Sequence, residues 1–280
     1  MRAEKKEPAI EDLLRAWGLM RVPFAPDEKD MFPARSHQEI LPLLDTTAAL
    51  RGVMVLSGSP GTGKSTLLKS WLRGLDPKRH LPILITQSSL SATGVLEILL
   101  AKLGERPHFK RSANFLTLEK HLADIDPLTL LLILDDAQNY PAPALEEIRM
   151  LLGLGGRQRS AFALILLGDD YLLGSLRLSV QRALFSRVSA AHQLQPLPRE
   201  EIAPYLHWHI SRAGLDREIF APVAIDLLAE ASEGNPRTLN LLAQAAWITA
   251  ARLGESSISA AHVQNALRQV PAASAKITTR

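Results

Sequence analysis

Gly58-Ser59-Pro60-Gly61-Thr62-Gly63-Lys64-Ser65-Thr66 is the stretch on which the reading of this chain turns. Its spacing is Gly, four free positions, then Gly-Lys-Ser, the pattern of a loop that cradles phosphates. The glycines let the backbone curl until its N–H groups face inward, where they and a helix N-terminus hold a polyphosphate. In that role Lys64 reaches the β- and γ-phosphates and Ser65 sets its hydroxyl on Mg²⁺. Thr66 continues into a helix that Leu67, Leu68, Trp71 and Leu72 tie to a core. The alternative is a glycine-rich turn that binds nothing. The apolar run Val53-Met54-Val55-Leu56 supplies the strand such a loop requires, which favours the nucleotide site.

A chain of 280 residues with 46% hydrophobic and 22% charged residues can bury a large core, as one big domain or two unequal ones, of which two is the preferred reading. Net charge is only +3, so a polyanion surface must come from where Lys and Arg sit rather than from bulk charge. The absence of cysteine excludes disulfides, thiolate zinc sites and cysteine nucleophiles, and makes the cytoplasm the expected compartment. The mixed-charge start, Met1 to Glu11, lacks the apolar core of a secretion signal. The longest apolar runs, Leu128–Leu134 and Ala161–Leu167, are far too short to span a membrane, so no membrane role is expected. They read as buried strands.

The predicted order begins with a charged tail in which Arg2, Lys5 and Lys6 either touch a polyanion or are simply solvated. A short helix follows at Ile10–Trp17. Gly18 to Pro33 is a proline-marked loop carrying Phe24, Met31 and Phe32, suited to packing on something flat, an adenine ring being one candidate. Ser36 with Glu39 reads as a helix start. Beyond the phosphate loop come a strand at Leu81–Thr86 and a helix at Thr93–Leu103. Next is a basic loop, Glu105 to Asn114, which collects Arg106, His108, Lys110 and Arg111 around Phe109. A helix at Leu116–Ile125 leads to the strand Leu128–Leu134.

That strand ends in Asp135-Asp136, and an acid at the carboxyl end of a buried strand needs a cation or a donor. Asp135 is read as holding Mg²⁺ or its waters and Asp136 as orienting the attacking water; two capping aspartates are the bland alternative. A helix at Ala144–Leu152, a basic turn from Gly153 to Arg159 and a strand at Ala161–Leu167 lead to Gly168-Asp169-Asp170. A helix at Val180–Phe185 delivers Arg182 and Arg187 before a short fifth strand, Ala191–Leu194. Past Pro196 only helices are expected, at Glu200–Ala213, Pro222–Ser232, Pro236–Leu253 and Ala260–Gln269. His207-Trp208-His209 is not a metal site, since residues two apart on a helix face different ways. Arg237 in a first helical turn is poorly placed for the helix dipole, which points to a function. The expected domains are a tail and short helix over 1–16, a nucleotide-binding α/β domain over 17–195, a helical lid over 196–270 and a disordered tail over 271–280.

With strand, phosphate loop, acidic strand end, polar strand end, arginine and helical lid in this order, the chain resembles the AAA+ ATPases. More narrowly it resembles the ExeA-like group, which includes a secretion-pathway ATPase and the DNA-binding ATPases of transposons, the MuB, TniB and TnsC kind. The residues that carry this are Trp17-Gly18-Leu19, Pro23-Phe24, Ser36-His37, Asp135 to Asn139, Arg182 to Val188, and Gly234-Asn235-Pro236-Arg237. The resemblance implies a P-loop AAA+ three-layer α/β sandwich with a parallel 5-1-4-3-2 sheet, a small all-helical lid, and ATP with Mg²⁺ between them. It also implies homo-oligomers, as rings or helical filaments. By the same carry-over Asp169 stands at the sensor position and Arg237 is the lid sensor. Arg187 is the finger reaching a neighbour's γ-phosphate, with Arg182 as second choice, so hydrolysis should need assembly. Two positions depart from the pattern. Asp136 stands where Glu is usual, so turnover should be slow. Asp169 replaces an uncharged sensor, leaving open whether it binds Mg²⁺ or a basic neighbour.

The function expected from this is an ATP-dependent ATPase that polymerises on double-stranded DNA without sequence preference and recruits or activates a transposase. Arg106, Lys110 and Arg111, with Arg157 and Arg159 of the later turn, are the candidate phosphate contacts. The chain stopping soon after the lid favours this over a secretion ATPase acting on protein partners without DNA, which is expected to carry a membrane segment. A nucleotide-gated scaffold that barely hydrolyses is a third reading.

Overall fold

Four short apolar runs and one mixed segment, the last, become five strands: β1 Val53–Ser57, β2 His80–Ile85, β3 Thr129–Leu134, β4 Ala163–Leu167 and β5 Val188–Gln193. The computed structural model describes residues 8–25, 30–87, 90–91, 93–156, 160–178 and 181–271. Every residue of β1, β3 and β4 is buried, as strands covered on both faces must be, while β5 alternates and β2 is partly open. The burial pattern is explained by the sheet order, β2-β3-β4-β1-β5, all parallel, which puts the two less buried strands at the edges. Read from the other edge this is the expected 5-1-4-3-2 order.

The helices are α1 Ile10–Trp17, α2 Arg35–Leu50, α3 Lys64–Gly74, α4 Gly94–Lys102, α5 Arg111–Ile125, α6 Ala142–Leu152, α7 Leu172–Leu176, α8 Arg182–Phe185, α9 Arg199–Arg212, α10 Pro222–Ser232, α11 Pro236–Arg252 and α12 Ala260–Gln269. They fall into two compact units. The α/β unit comprises 35–60 and 64–195. Its core joins strand residues such as Leu132 and Leu166 to Leu96, Leu99, Leu118, Ile148 and Leu151 of α4, α5 and α6. The helical unit comprises 1–34, 61–63 and 196–280, with the last four helices and α1 packed around the fully buried Trp247. No helix among the described residues is long and apolar enough to cross a membrane.

Several local expectations shift. Residues 17–34, expected in the nucleotide-binding domain, pack in the helical unit: Trp17 meets Trp247 edge-on, and Phe24 meets Phe220. The flat surface sought by Phe32 is Tyr205 and Trp208 of α9. Ser36 is not a cap, because α2 already begins at Arg35. Helix α5 starts at Arg111, five residues earlier than its apolar periodicity indicates, and β5 starts at Val188 rather than Ala191. In Gly234-Asn235-Pro236-Arg237 each residue has a local task. Gly234 accepts the Leu197 N–H and lies too close to that backbone for any Cβ. Asn235 caps α11 by accepting from the N–H groups of Arg237 and Thr238, and Pro236 occupies the first helical position.

Candidate nucleotide site at the carboxyl ends of β1, β3 and β4

Parallel strands that end in register bring their following residues together, and Leu56 pairs with Leu167 while Leu134 pairs with Leu166. The phosphate loop, the acid pair and Gly168-Asp169-Asp170 therefore issue from one edge of the sheet. Gly61 and Gly63 take φ of 91° and 102°, conformations that side-chain-bearing residues resist, and α3 begins directly at Lys64. The loop thus ends on a helix N-terminus, the favourable end for an anion. Lys64 Nζ donates to the carbonyls of Gly58 at 2.5 Å and Ser59 at 3.1 Å. Burial lowers its pKa, while the carboxylates of Asp170, Asp135, Asp136 and Asp169, in that order of strength, oppose the shift. One lysine thus feels all four acids.

Asp135 is half-buried beyond the end of β3, and burial raises its pKa. The Asp136 N–H, donating to its Oδ1 at 3.0 Å, and then Lys64 and Lys69 oppose that rise, whereas the Asp136 carboxylate adds to it. Ser65 lies exposed in the first turn of α3. A hydroxyl and a single carboxylate are hard oxygen donors that suit Mg²⁺, which takes its remaining ligands from phosphate and water. No group of three or more His, Asp or Glu able to hold a metal exists among the described residues, so an all-protein cage is not what the site provides.

Asp136 is exposed and left-handed, with φ 50° and ψ 43°, which turns its carboxylate away from the line of the strand. Gln138 steadies it. Its Nε2 donates to Asp136 Oδ1 at 3.4 Å, and its Oε1 accepts the Asp169 N–H at 3.2 Å, bridging the ends of β3 and β4. Gly168 leaves room for this bridge, since a Cβ there would lie 2.6 Å from Gln138 Oε1. Asp169 spends its carboxylate locally, accepting the Tyr171 N–H at 2.9 Å. Its neighbour engages the loop instead. Asp170 accepts the Ser59 hydroxyl at 2.6 Å and Gln193 Nε2 at 2.9 Å, tying the loop to β5.

Sequence reasoning gave Asp170, Gln138 and Gln193 no role. The doubled acid after β4 is the signal that points to Asp170, but which of the two turns toward the loop depends on the bend that follows the strand. Arg182 and Arg187 are exposed on and just after α8, and Arg237 is exposed in the first turn of α11, its N–H donating to the Gly61 carbonyl at 3.3 Å. Arg106 and Lys110 are exposed in the loop before α5. Arg111 is not a free charge: its guanidinium donates to both carboxylate oxygens of Glu147, which is 1% exposed. Arg157 and Arg159 lie outside the described residues.

Residues 48–176 match the family model described as AAA domain, a span that holds the phosphate loop, the acid pair and Asp170. Over that span the chain is similar to AAA domains. Among curated proteins, General secretion pathway protein A of Aeromonas hydrophila is 28% identical over 250 residues, covering 86% of this chain. The chain spans 45% of that relative's length. Solved AAA+ structures share the fold. Cdc6p from Pyrobaculum aerophilum superposes with a TM-score of 0.67 at 21% identity, covering 88% of this chain and 70% of its own. The Drosophila ORC bound to DNA gives 0.63 at 18%, covering 100% and 73%. RuvB from Thermotoga maritima, a Holliday junction branch migration motor, gives 0.56 at 17%, covering 83% and 68%.

Proposed function

We propose that this AAA+ protein hydrolyses ATP with Mg²⁺, assembles as a homo-oligomer on double-stranded DNA without sequence preference, and recruits or activates a transposase. The observation that carries the ATPase reading is the convergence of Lys64, Asp135, Asp136 and Asp170 at one sheet edge. Mg²⁺, when bound by Ser65 and Asp135, neutralises phosphate charge. Lys64 exchanges its loop carbonyls for phosphate oxygens. Asp136 accepts a hydrogen bond from the attacking water and orients it, held in place by Gln138. Its short side chain makes for slow turnover.

Strand register supports the assembly part of this reading. Val53 pairs with Val188, so Arg187 stands beside the start of β1, while the phosphate loop stands beyond its end. A strand of this length separates the two by about 16 Å, too far for an arginine to serve its own loop. Arg187, with Arg182 as second choice, is therefore offered to a neighbouring subunit, and the oligomer is a ring or a filament. Arg237 of the helical unit is assigned the lid-sensor role and Asp169 that of shaping the turn after β4. Arg106 and Lys110, with Arg157 and Arg159, are the DNA contacts; Arg111 holds the helix that follows them. A cytoplasmic location goes with this reading.

A second reading, an assembly or secretion ATPase acting on protein partners without DNA, is favoured by the secretion-pathway relative. ATP-dependent binding to random-sequence duplex separates them. The proposal expects binding that weakens steeply with salt. It also expects loss of binding in Arg106→Glu/Lys110→Glu with ATP binding intact. A wild-type protein that ignores duplex at low salt with ATP would overturn it in favour of the second reading.

A further inference from the structure

Phe109 is fully exposed in the loop between α4 and α5. A single apolar residue at a surface is ordinary; what distinguishes this one is the work spent on the loop that carries it. Asn114, a buried amide, accepts the His108 N–H at 2.6 Å and donates to the His108 carbonyl at 3.0 Å. The backbone is therefore clamped one residue before the ring. The loop's acid is turned aside as well, Glu105 pairing with His121 at 3.0 Å. What remains around the ring is two cations, Arg106 and Lys110, and the imidazole of His108, all exposed.

An exposed aromatic ring on a backbone held at the preceding residue, in a basic frame, matches a partner that offers apolar planes between regularly spaced negative charges. Base pairs flanked by phosphates have that form. Proteins that kink duplex DNA do so by inserting an apolar side chain at a base step while basic residues hold the backbone. We propose that Phe109 is such a wedge, entering a base step of duplex DNA while Arg106, His108 and Lys110 contact the adjacent phosphates. The clamp by Asn114 lets the ring enter without first ordering its loop. This inference rests on the DNA-binding reading and adds to it a deformation of the duplex.

The test uses the full chain with ATP and duplexes carrying 2-aminopurine at successive positions, a base whose fluorescence rises when it is unstacked. Wild-type protein should brighten the probe on binding. Phe109→Ala should abolish the rise and bind about tenfold more weakly, the scale of a lost base–aromatic contact. Phe109→Trp should restore both. Lys110→Gln should weaken binding and flatten its salt dependence while keeping the rise. Because the ring is exposed, Phe109→Ala leaves the fold intact, which its unchanged melting temperature checks. Wild type that binds without brightening any probe, or Phe109→Ala that binds and brightens as wild type does, overturns the wedge alone. Wild type that does not bind duplex overturns the wedge and the DNA-binding reading together. Capture by anionic phospholipid vesicles in place of duplex, lost in Phe109→Ala, also overturns it.

Discussion

The Ser59 hydroxyl donates to Asp170 Oδ2 at 2.6 Å, so an acid from the end of β4 holds the phosphate loop by its second residue. The same carboxylate is the strongest of the four acting on Lys64, and its other oxygen reaches Gln193 of β5. Position and charge are thus supplied by one side chain, and substitutions can separate them.

Asp170→Asn keeps an oxygen for Ser59 and removes the charge, whereas Asp170→Ala removes both. If the bond to Ser59 is what shapes the loop, Asp170→Ala should bind ATP about tenfold more weakly, the scale of a lost hydrogen bond to a charged group. Asp170→Asn should stay close to wild type. Titration with a fluorescent ATP analogue checks this, and equal affinities for the two variants would contradict it.

Gln138 is expected to act on turnover rather than on binding. Gly168→Ala would bring a Cβ within 2.6 Å of both Gln138 Oε1 and Leu172 Cδ2, pushing the amide off its bridge between Asp136 and Asp169. A misplacement of about 1 Å costs about 10²-fold in rate where a reacting group must be oriented. Steady-state hydrolysis should fall by that much in Gly168→Ala and in Gln138→Ala, with nucleotide affinity changed little.

Arg111 is expected to matter for stability. Its guanidinium pairs with Glu147 and stacks on Phe115, 5.1 Å from the ring centroid. Arg111→Ala leaves the buried Glu147 carboxylate without its charged donor and, the arginine itself being half exposed, should cost about 1–3 kcal/mol. Arg106→Ala, at an exposed position, should change stability by less than about 0.5 kcal/mol. Urea unfolding distinguishes them. DNA binding is therefore better tested at Arg106 and Lys110 than at Arg111.

Much of the site was legible in the chain because its parts are local. Buried parallel strands demand uninterrupted apolar runs, and β1, β3 and β4 have them; the phosphate loop and the acid pair adjoin those runs. What was not legible depends on remote partners. The start of α5 has no apolar signal, and Arg111 is drawn into it by Glu147 on α6. Phe24 and Phe32 read correctly as packing residues, yet nothing near them in sequence names Phe220, Tyr205 and Trp208 as their surface. Asp169 and Asp170 are the same residue type, and only the turn fixed by the Tyr171 N–H separates their roles.

Stability should fall in strong alkali. The Tyr205 phenol is buried and donates to Asn240 Oδ1 at 3.0 Å, and burial pushes its pKa up. Tyr140 is pushed up to about 12, by burial first and then by Asp135 and Asp136. Above pH about 10 the unfolded chain releases these protons while the folded protein keeps them, so stability declines as pH rises, by up to about 1.4 kcal/mol per pH unit for each group. Tyr205→Phe should reduce that slope and cost about 1 kcal/mol at neutral pH, where Asn240 loses its partner. Urea unfolding at a series of pH values reads both effects.

The central position of β1 also bears on how the protein is made. Its only sheet neighbours are β4 and β5, with Val53 pairing to Leu164 and to Val188. A chain emerging from the ribosome therefore completes the phosphate-binding sequence long before either neighbouring strand exists. Contacts between segments this distant form late and slowly. Until β4 and β5 are synthesised the loop has no frame, and an incomplete chain ending before Ala163 should be unable to retain nucleotide although every residue of the loop is present.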